Sequence, residues 1–196
     1  MSLLLLELLI YLGTAALFVY VAWLFFRNAE MIARGLWHQP PFSPSCEPLR
    51  DAVVQEIRSS YPNVKTACDI GSGYGGLARR IAKDCGLRVA ALENMPFAAT
   101  VSMIADWISG GISKTIWCDA FEYVEKSDGF DLAVAYMGPK VAGRLIALRN
   151  KIRVLITLDF PVEGLEATRT IIVPGGYTLY NGVKYPHKLF VYELQK

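Results

Sequence analysis

Asp69-Ile70-Gly71-Ser72-Gly73-Tyr74-Gly75 is the segment of this 196-residue chain whose composition asks for a ligand. Gly71 permits a tight turn, and Gly73 and Gly75 let the backbone approach a ligand closely because no Cβ intrudes. Backbone N–H groups at the start of the helix that should follow favour negative or polar ligand groups. With Gly76 the string also fits the GxGxxG spacing of dinucleotide sites, and in either case Glu93 would accept hydrogen bonds from ribose hydroxyls. Asp69, directly before the loop, separates the two readings. A carboxylate there can serve the ammonium of a methionine moiety, whereas it would repel a pyrophosphate. Asp119 ends a third apolar run, where it could reach an adenine amino group or cap a helix. The pattern therefore favours S-adenosylmethionine over a dinucleotide.

A methyl carried on a sulfonium is already an activated electrophile. The protein must align a nucleophile with the methyl–sulfur bond and exclude water. A lysine acceptor must arrive as the neutral amine, through desolvation or a nearby carboxylate. In an open α/β sheet such chemistry lies beyond the carboxyl ends of the strands. Tyr136, Met137, Gly138 and Pro139 end a fourth apolar run, and Asp159 and Phe160 a fifth. Tyr136 is the candidate to line the transfer site, its alternative being simple packing at a strand end. Asp159 is the candidate proton acceptor, its alternative a structural carboxylate.

The elements that must position these residues alternate. The spacing of Leu49, Val53, Val54 and Ile57 predicts a helix over 48–60. Strands are predicted at 64–70, 87–93, 114–118, 130–137 and 153–160, and helices at 75–85, 96–109 and 139–151. Apolar strands alternating with helices predict a doubly wound, mainly parallel sheet. The tail reads as three strands, 170–173, 177–180 and 189–194, separated by Pro-Gly-Gly and Asn-Gly turn signals, and predicts an antiparallel C-terminal edge.

Leu3 to Phe26 is almost wholly apolar, broken by Glu7, and is long enough to cross a bilayer. A cleaved signal peptide is the competing reading. Against it stand the lack of a basic N-terminal region and of a clean small-residue cleavage site. Arg27 and Arg34 follow the run, which predicts that the C-terminal domain faces the cytoplasm. The expected organisation is an anchor at 1–26, a juxtamembrane helix and proline-rich connector at 27–47, and a catalytic domain at 48–196. Within the connector, 42–45 could fold over the site. A net charge of +2 without a basic stripe gives no case for nucleic acid. Cys46, Cys68, Cys85 and Cys118 form no CxxC pair, and two histidines without a Cys/His cluster predict no metal site.

From residue 45 onward the chain resembles class I, seven-stranded S-adenosylmethionine-dependent methyltransferases. DIGSGYG resembles their first motif, ALENMP their acidic second-strand end, CDAF their adenine-contacting segment and FDLAVAYMGP their fourth-strand motif. The resemblance implies a cofactor site of Asp69, Gly71, Ser72, Gly73, Gly75, Glu93, Asn94, Asp119 and Ala120. With the anchor and PPFSPS included, the layout is similar to single-span protein-lysine methyltransferases. In mitochondria these modify the ATP synthase c-subunit or the adenine nucleotide translocase, and they have bacterial relatives. Tyr74 departs from the acidic residue usual there. The resemblance implies a membrane-embedded or membrane-adjacent acceptor, a protein lysine first and a lipid or quinone second, in a bacterial inner or a mitochondrial membrane. A reductase and a non-catalytic scaffold of the same fold are the other readings.

Overall fold

In a computed structural model, residues 3–33, 45–180 and 183–194 are described. Residues 42–44 of the expected loop over the site, 42–45, and most of the proline-rich connector lie outside them; Ser45 is described. The chain divides into two compact units, Met1–His38 and Gln39–Lys196.

In the first unit, α1 runs from Leu3 to Ala33. Its stretch Leu5–Trp23 has a mean hydropathy of 2.0 and no buried residues, so by length and composition it could cross a membrane. Such a helix close to an N-terminus also fits a signal sequence. Thr14 donates its hydroxyl back to the Ile10 carbonyl, so its polar group is satisfied within the helix.

In the second unit, seven strands form one sheet in the order β3-β2-β1-β4-β5-β7-β6. The strands are β1 Thr66–Ile70, β2 Arg88–Glu93, β3 Lys114–Trp117, β4 Phe130–Ala135, β5 Ile152–Leu158, β6 Arg169–Tyr180 and β7 Val183–Glu193. The first five pair in parallel, and β7 runs antiparallel to β5 and β6. The central strands are buried on both faces because helices cover both. Leu132, Val134 and Ile156 pack with α2 (Glu47–Ser60) and α3 (Gly76–Cys85). The alternate residues Ala133, Ala135 and Leu155 pack on the other side with Val124, Leu145 and Leu148. This period of two places each strand residue on one face or the other.

α4 spans Pro96–Ile108 and α5 spans Ala120–Lys126. α5 is not among the helices expected above, although its signal is present in the sequence. Asp119 Oδ1 accepts the Phe121 and Glu122 N–H groups, and Glu122 stands at the third helical position, as in a capping box. The helix expected over 139–151 is instead one α turn, α6 (Pro139–Ala142), followed by a 3₁₀ segment, Gly143–Leu148. Ala142, Leu145 and Leu148 recur every three residues, so the tighter 3₁₀ period keeps all three buried, and Gly143 weakens the α continuation. The two strands expected at 170–173 and 177–180 are one strand, β6, with a register shift between Ile172 and Tyr177. Pro174 is tolerated there because β6 is the outermost strand and the ladder is interrupted.

Candidate active site

Strand register builds the site. Ile70 lies opposite Leu92 and Ala135, and Ala135 opposite Thr157. The next residue on β1 is Gly71, on β2 it is Glu93, and after β4 it is Tyr136. All emerge at the carboxyl ends, beside the point where the strand order reverses between β1 and β4.

The glycine loop is tied to the end of β2. Gly71 and Ser72 both donate N–H to the Leu92 carbonyl, at 2.9 and 3.0 Å. Glu93 is buried, and its Oε2 accepts the Gly73 N–H at 2.7 Å while Oε1 accepts the Met95 N–H at 2.8 Å. Each oxygen keeps lone-pair capacity for a further donor. Gly71 has φ +72°, and a Cβ there would come within 2.8 Å of Met137 Cε. Gly75 has φ +70°, and a Cβ there would collide with Ser102 Oγ. Gly71 and Gly75 are thus required by the fold itself. Ser72 Oγ is shielded from solvent without a hydrogen-bond partner.

Asp69 is also buried. Burial first, and the neighbouring Glu93 carboxylate second, push its pKa up to about 7; the Ala78 N–H and Arg50 pull more weakly the other way. Two carboxyl groups therefore bracket the glycine loop, and a cation beside them would relieve their repulsion. Asn94 is half-buried next to Glu93, with its carbonyl accepting Trp117 Nε1–H at 3.1 Å. Asp119 is exposed and caps α5, the second of its expected roles, through Oδ1; Ala120 beside it is buried. The expected residues thus gather along the ends of β1 to β3.

A network absent from the sequence reading holds this loop from behind. Asp106 Oδ2 accepts the Thr115 N–H at 2.8 Å and Thr115 Oγ1–H at 2.6 Å, and its Oδ1 accepts Ser113 Oγ–H at 2.6 Å. Arg79 Nη1 joins it at 3.2 Å, while Nη2 donates to the Tyr74 carbonyl of the glycine loop at 2.5 Å. Burial raises the Asp106 pKa, but Ser113, Thr115 and Arg79 more than offset it, and the net shift is downward. Asp106→Ala strands these donors, so we expect a loss of about 3 kcal/mol. A lower urea midpoint at unchanged slope would register it.

At the ends of β4 and β5, Tyr136 and Asp159 meet. The Tyr136 hydroxyl donates to Asp159 Oδ2 at 3.0 Å. The Asp159 side chain has no exposed surface and also accepts the Lys188 N–H at 3.1 Å. Its φ is +63°, a strained value for a non-glycine residue and the single such case among the described residues. His187 Nδ1 lies 2.9 Å from Oδ2. A carboxylate only accepts, so Nδ1 carries the proton and Nε2 is left to Cys46 Sγ, at 3.4 Å. Cys46, His187 and their alignment were not read from sequence as parts of a site. Among the described residues no group of His, Cys, Asp and Glu could hold a metal ion.

No family model matches the sequence, and no curated protein matches it. Solved structures do match by fold. An RNA methyltransferase from Salinibacter ruber, crystallised with S-adenosyl-L-homocysteine, superposes with a TM-score of 0.62 at 18% identity, covering 78% of this chain and 94% of that one. A precorrin-6y C5,15-methyltransferase from Geobacter metallireducens gives 0.57 at 12% identity over 77% and 93%. A precorrin-8w decarboxylase from Methanobacterium thermoautotrophicum gives 0.55 at 18% identity over 76% and 91%. The second unit, with its seven-stranded mixed sheet and helices on both faces, has the Rossmann-like methyltransferase fold.

Proposed function

We propose that this chain is an S-adenosylmethionine-dependent methyltransferase that N-methylates a lysine of a membrane-embedded or membrane-adjacent protein. The observation that carries the cofactor is the pair of buried carboxyl groups, Asp69 and Glu93, on either side of a glycine loop. They suit a cationic, ribose-bearing ligand and oppose a pyrophosphate. Glu93 would take ribose hydroxyls through its remaining lone pairs. Asp69 would answer the amino group, Ser72 Oγ would find its partner, and Asn94, Asp119 and Ala120 would flank the adenine. The crystallised complex of the Salinibacter ruber relative with the demethylated product supports the same reading.

When bound, the cofactor supplies a methyl already activated by sulfonium charge. This chain's residues then have to hold the acceptor and take its proton. Tyr136 places a hydroxyl at the strand ends, and Asp159, fixed by His187 and the Lys188 N–H, accepts from it. A proton leaving an amine beside Tyr136 has a buried carboxylate to reach in one hydrogen-bonded step. The membrane side of the proposal rests on α1. Its 19-residue apolar stretch, followed by Arg27 and Arg34, supports a single-pass anchor with the catalytic unit on the cytoplasmic side.

Calorimetric titration of the full chain in detergent tests the cofactor. Saturable binding of S-adenosylmethionine and its demethylated product, lost in Glu93→Ala, is expected. Binding of NADH alone would replace the reading with a reductase. Transfer of labelled methyl from the cofactor into membranes then tests the acceptor. Label in protein hydrolysate as methyl-lysine is expected; label extracted into organic solvent would make the acceptor a lipid or quinone.

A further inference from the structure

We infer that Cys46 is an activated thiol, the nucleophile of a Cys46–His187–Asp159 constellation, and that it exchanges with low-molecular-weight disulfides. Three contacts in series carry this. Cys46 Sγ lies 3.4 Å from His187 Nε2, His187 Nδ1 lies 2.9 Å from Asp159 Oδ2, and Asp159 is oriented by the Lys188 N–H. Nucleophile, base and orienting carboxylate in this order are how a thiol is made reactive. The rest of the setting agrees. Cys46 is the N-cap residue of the 14-residue α2, and its side chain caps no helix N–H, so the thiol is left to His187. Arg50 lies one turn on, donating Nε–H to Ser45 Oγ. The acidic neighbour Glu47 is exposed and drawn off to Arg50 and Arg80. Tyr136 faces the constellation by donating its hydroxyl to Asp159. Gly176 of β6 keeps the imidazole in place by absence: a Cβ there would come within 2.5 Å of the His187 ring.

The other cysteines are set apart chemically. Burial pushes the Cys68 and Cys85 thiols up. Burial and then Asp119, Glu93 and Glu122 push Cys118 to about 11. In the exchange, His187 Nε2 takes the Cys46 proton and the thiolate attacks one sulfur of the disulfide. The old S–S bond breaks as the new one forms, and the departing thiolate recovers the proton. The products are one mixed disulfide on Cys46 and one free thiol. That adduct sits on Cys46, three contacts in series from Tyr136, so it gives the strand-end site a thiol-sensitive handle.

The test is independent of any methyl transfer. The full chain in detergent is exposed to oxidised glutathione between pH 6 and 9, and each cysteine is followed by peptide mass spectrometry. Cys46 should react at least about tenfold faster than Cys85 and Cys118 near pH 7, and His187→Gln should remove that advantage. Equal rates at Cys46, Cys85 and Cys118 in the unsubstituted chain would overturn the inference, whatever the variant does. So would a Cys46 rate unchanged across pH in a folded His187→Gln protein.

Discussion

Asp69→Asn is expected to make the folded chain more stable and its ligand weaker at once. The wild-type carboxyl has a folded pKa of about 7 against an ordinary value of 3.8. Between those values the native state holds a proton that the unfolded chain has released, so stability falls as pH rises through that window. The shift corresponds to at most about 4 kcal/mol above pH 7, and we expect the neutral amide to recover about 1–3 kcal/mol of it at pH 8. At pH 4, where the native carboxyl is already protonated, the two proteins should melt alike. Ligand affinity should move the opposite way. Loss of a charged partner for an ammonium costs about 10- to 100-fold. Urea unfolding at pH 4 and pH 8, paired with calorimetry, reads both. Equal stability at pH 8 would mean that Asp69 titrates normally. Unchanged affinity would mean that it does not face the cationic part of the ligand.

Asp159→Asn is the second large effect, on methyl transfer first, with some stability lost because the amide cannot accept from all three donors that the carboxylate satisfies. Asparagine tolerates the left-handed conformation that Asp159 adopts, so the backbone is not the cause of any loss. The charge that receives the Tyr136 hydroxyl disappears while the shape remains. Methyl transfer should slow by about 10²- to 10⁴-fold, the range of a lost general base. Cofactor affinity should hold, because Asp159 makes no contact with the glycine loop among its hydrogen bonds. Tyr136→Phe should lose less, and the double substitution should lose little more than Asp159→Asn, because the two groups act through one hydrogen bond. Wild-type turnover in Asp159→Asn would reduce the carboxylate to a structural role at the β5–β7 junction.

The half of the site that came from local pattern was legible. Asp69 to Gly75 and Glu93 each sit at the end of a short apolar run, and alternation of runs is enough to order parallel strands. The half that depends on β7 was not. His187 reaches Asp159 only because Leu189 pairs with Leu158 across an antiparallel ladder, a register no local pattern in 183–193 declares. Cys46 reaches His187 from the opposite end of the domain's sequence. The same limit applies to Asp106, which lies on a mostly apolar helix and reads as an ordinary polar position until Thr115 and Arg79 are placed around it. Strand ends place Tyr136 and Asp159 in the sequence, but no pattern there announces that they meet. The 3₁₀ segment and the merged β6 show the other limit. Pattern gave the buried positions, while tertiary packing chose the helix period and bridged Pro174.

The sheet's two free margins have a consequence for crowding. One margin is β3, only four residues long and beginning at the exposed Lys114; the other is β6, interrupted at Pro174. Both are poor templates for a strand of a neighbouring copy. Copies gathered at one surface by apolar helices would meet far more often than copies in dilute solution, and a long, flat margin would let them stitch into fibrils. With margins like these, colliding sheets are expected to stay separate, so the packing density of such a domain would be set by its volume and not by polymerisation.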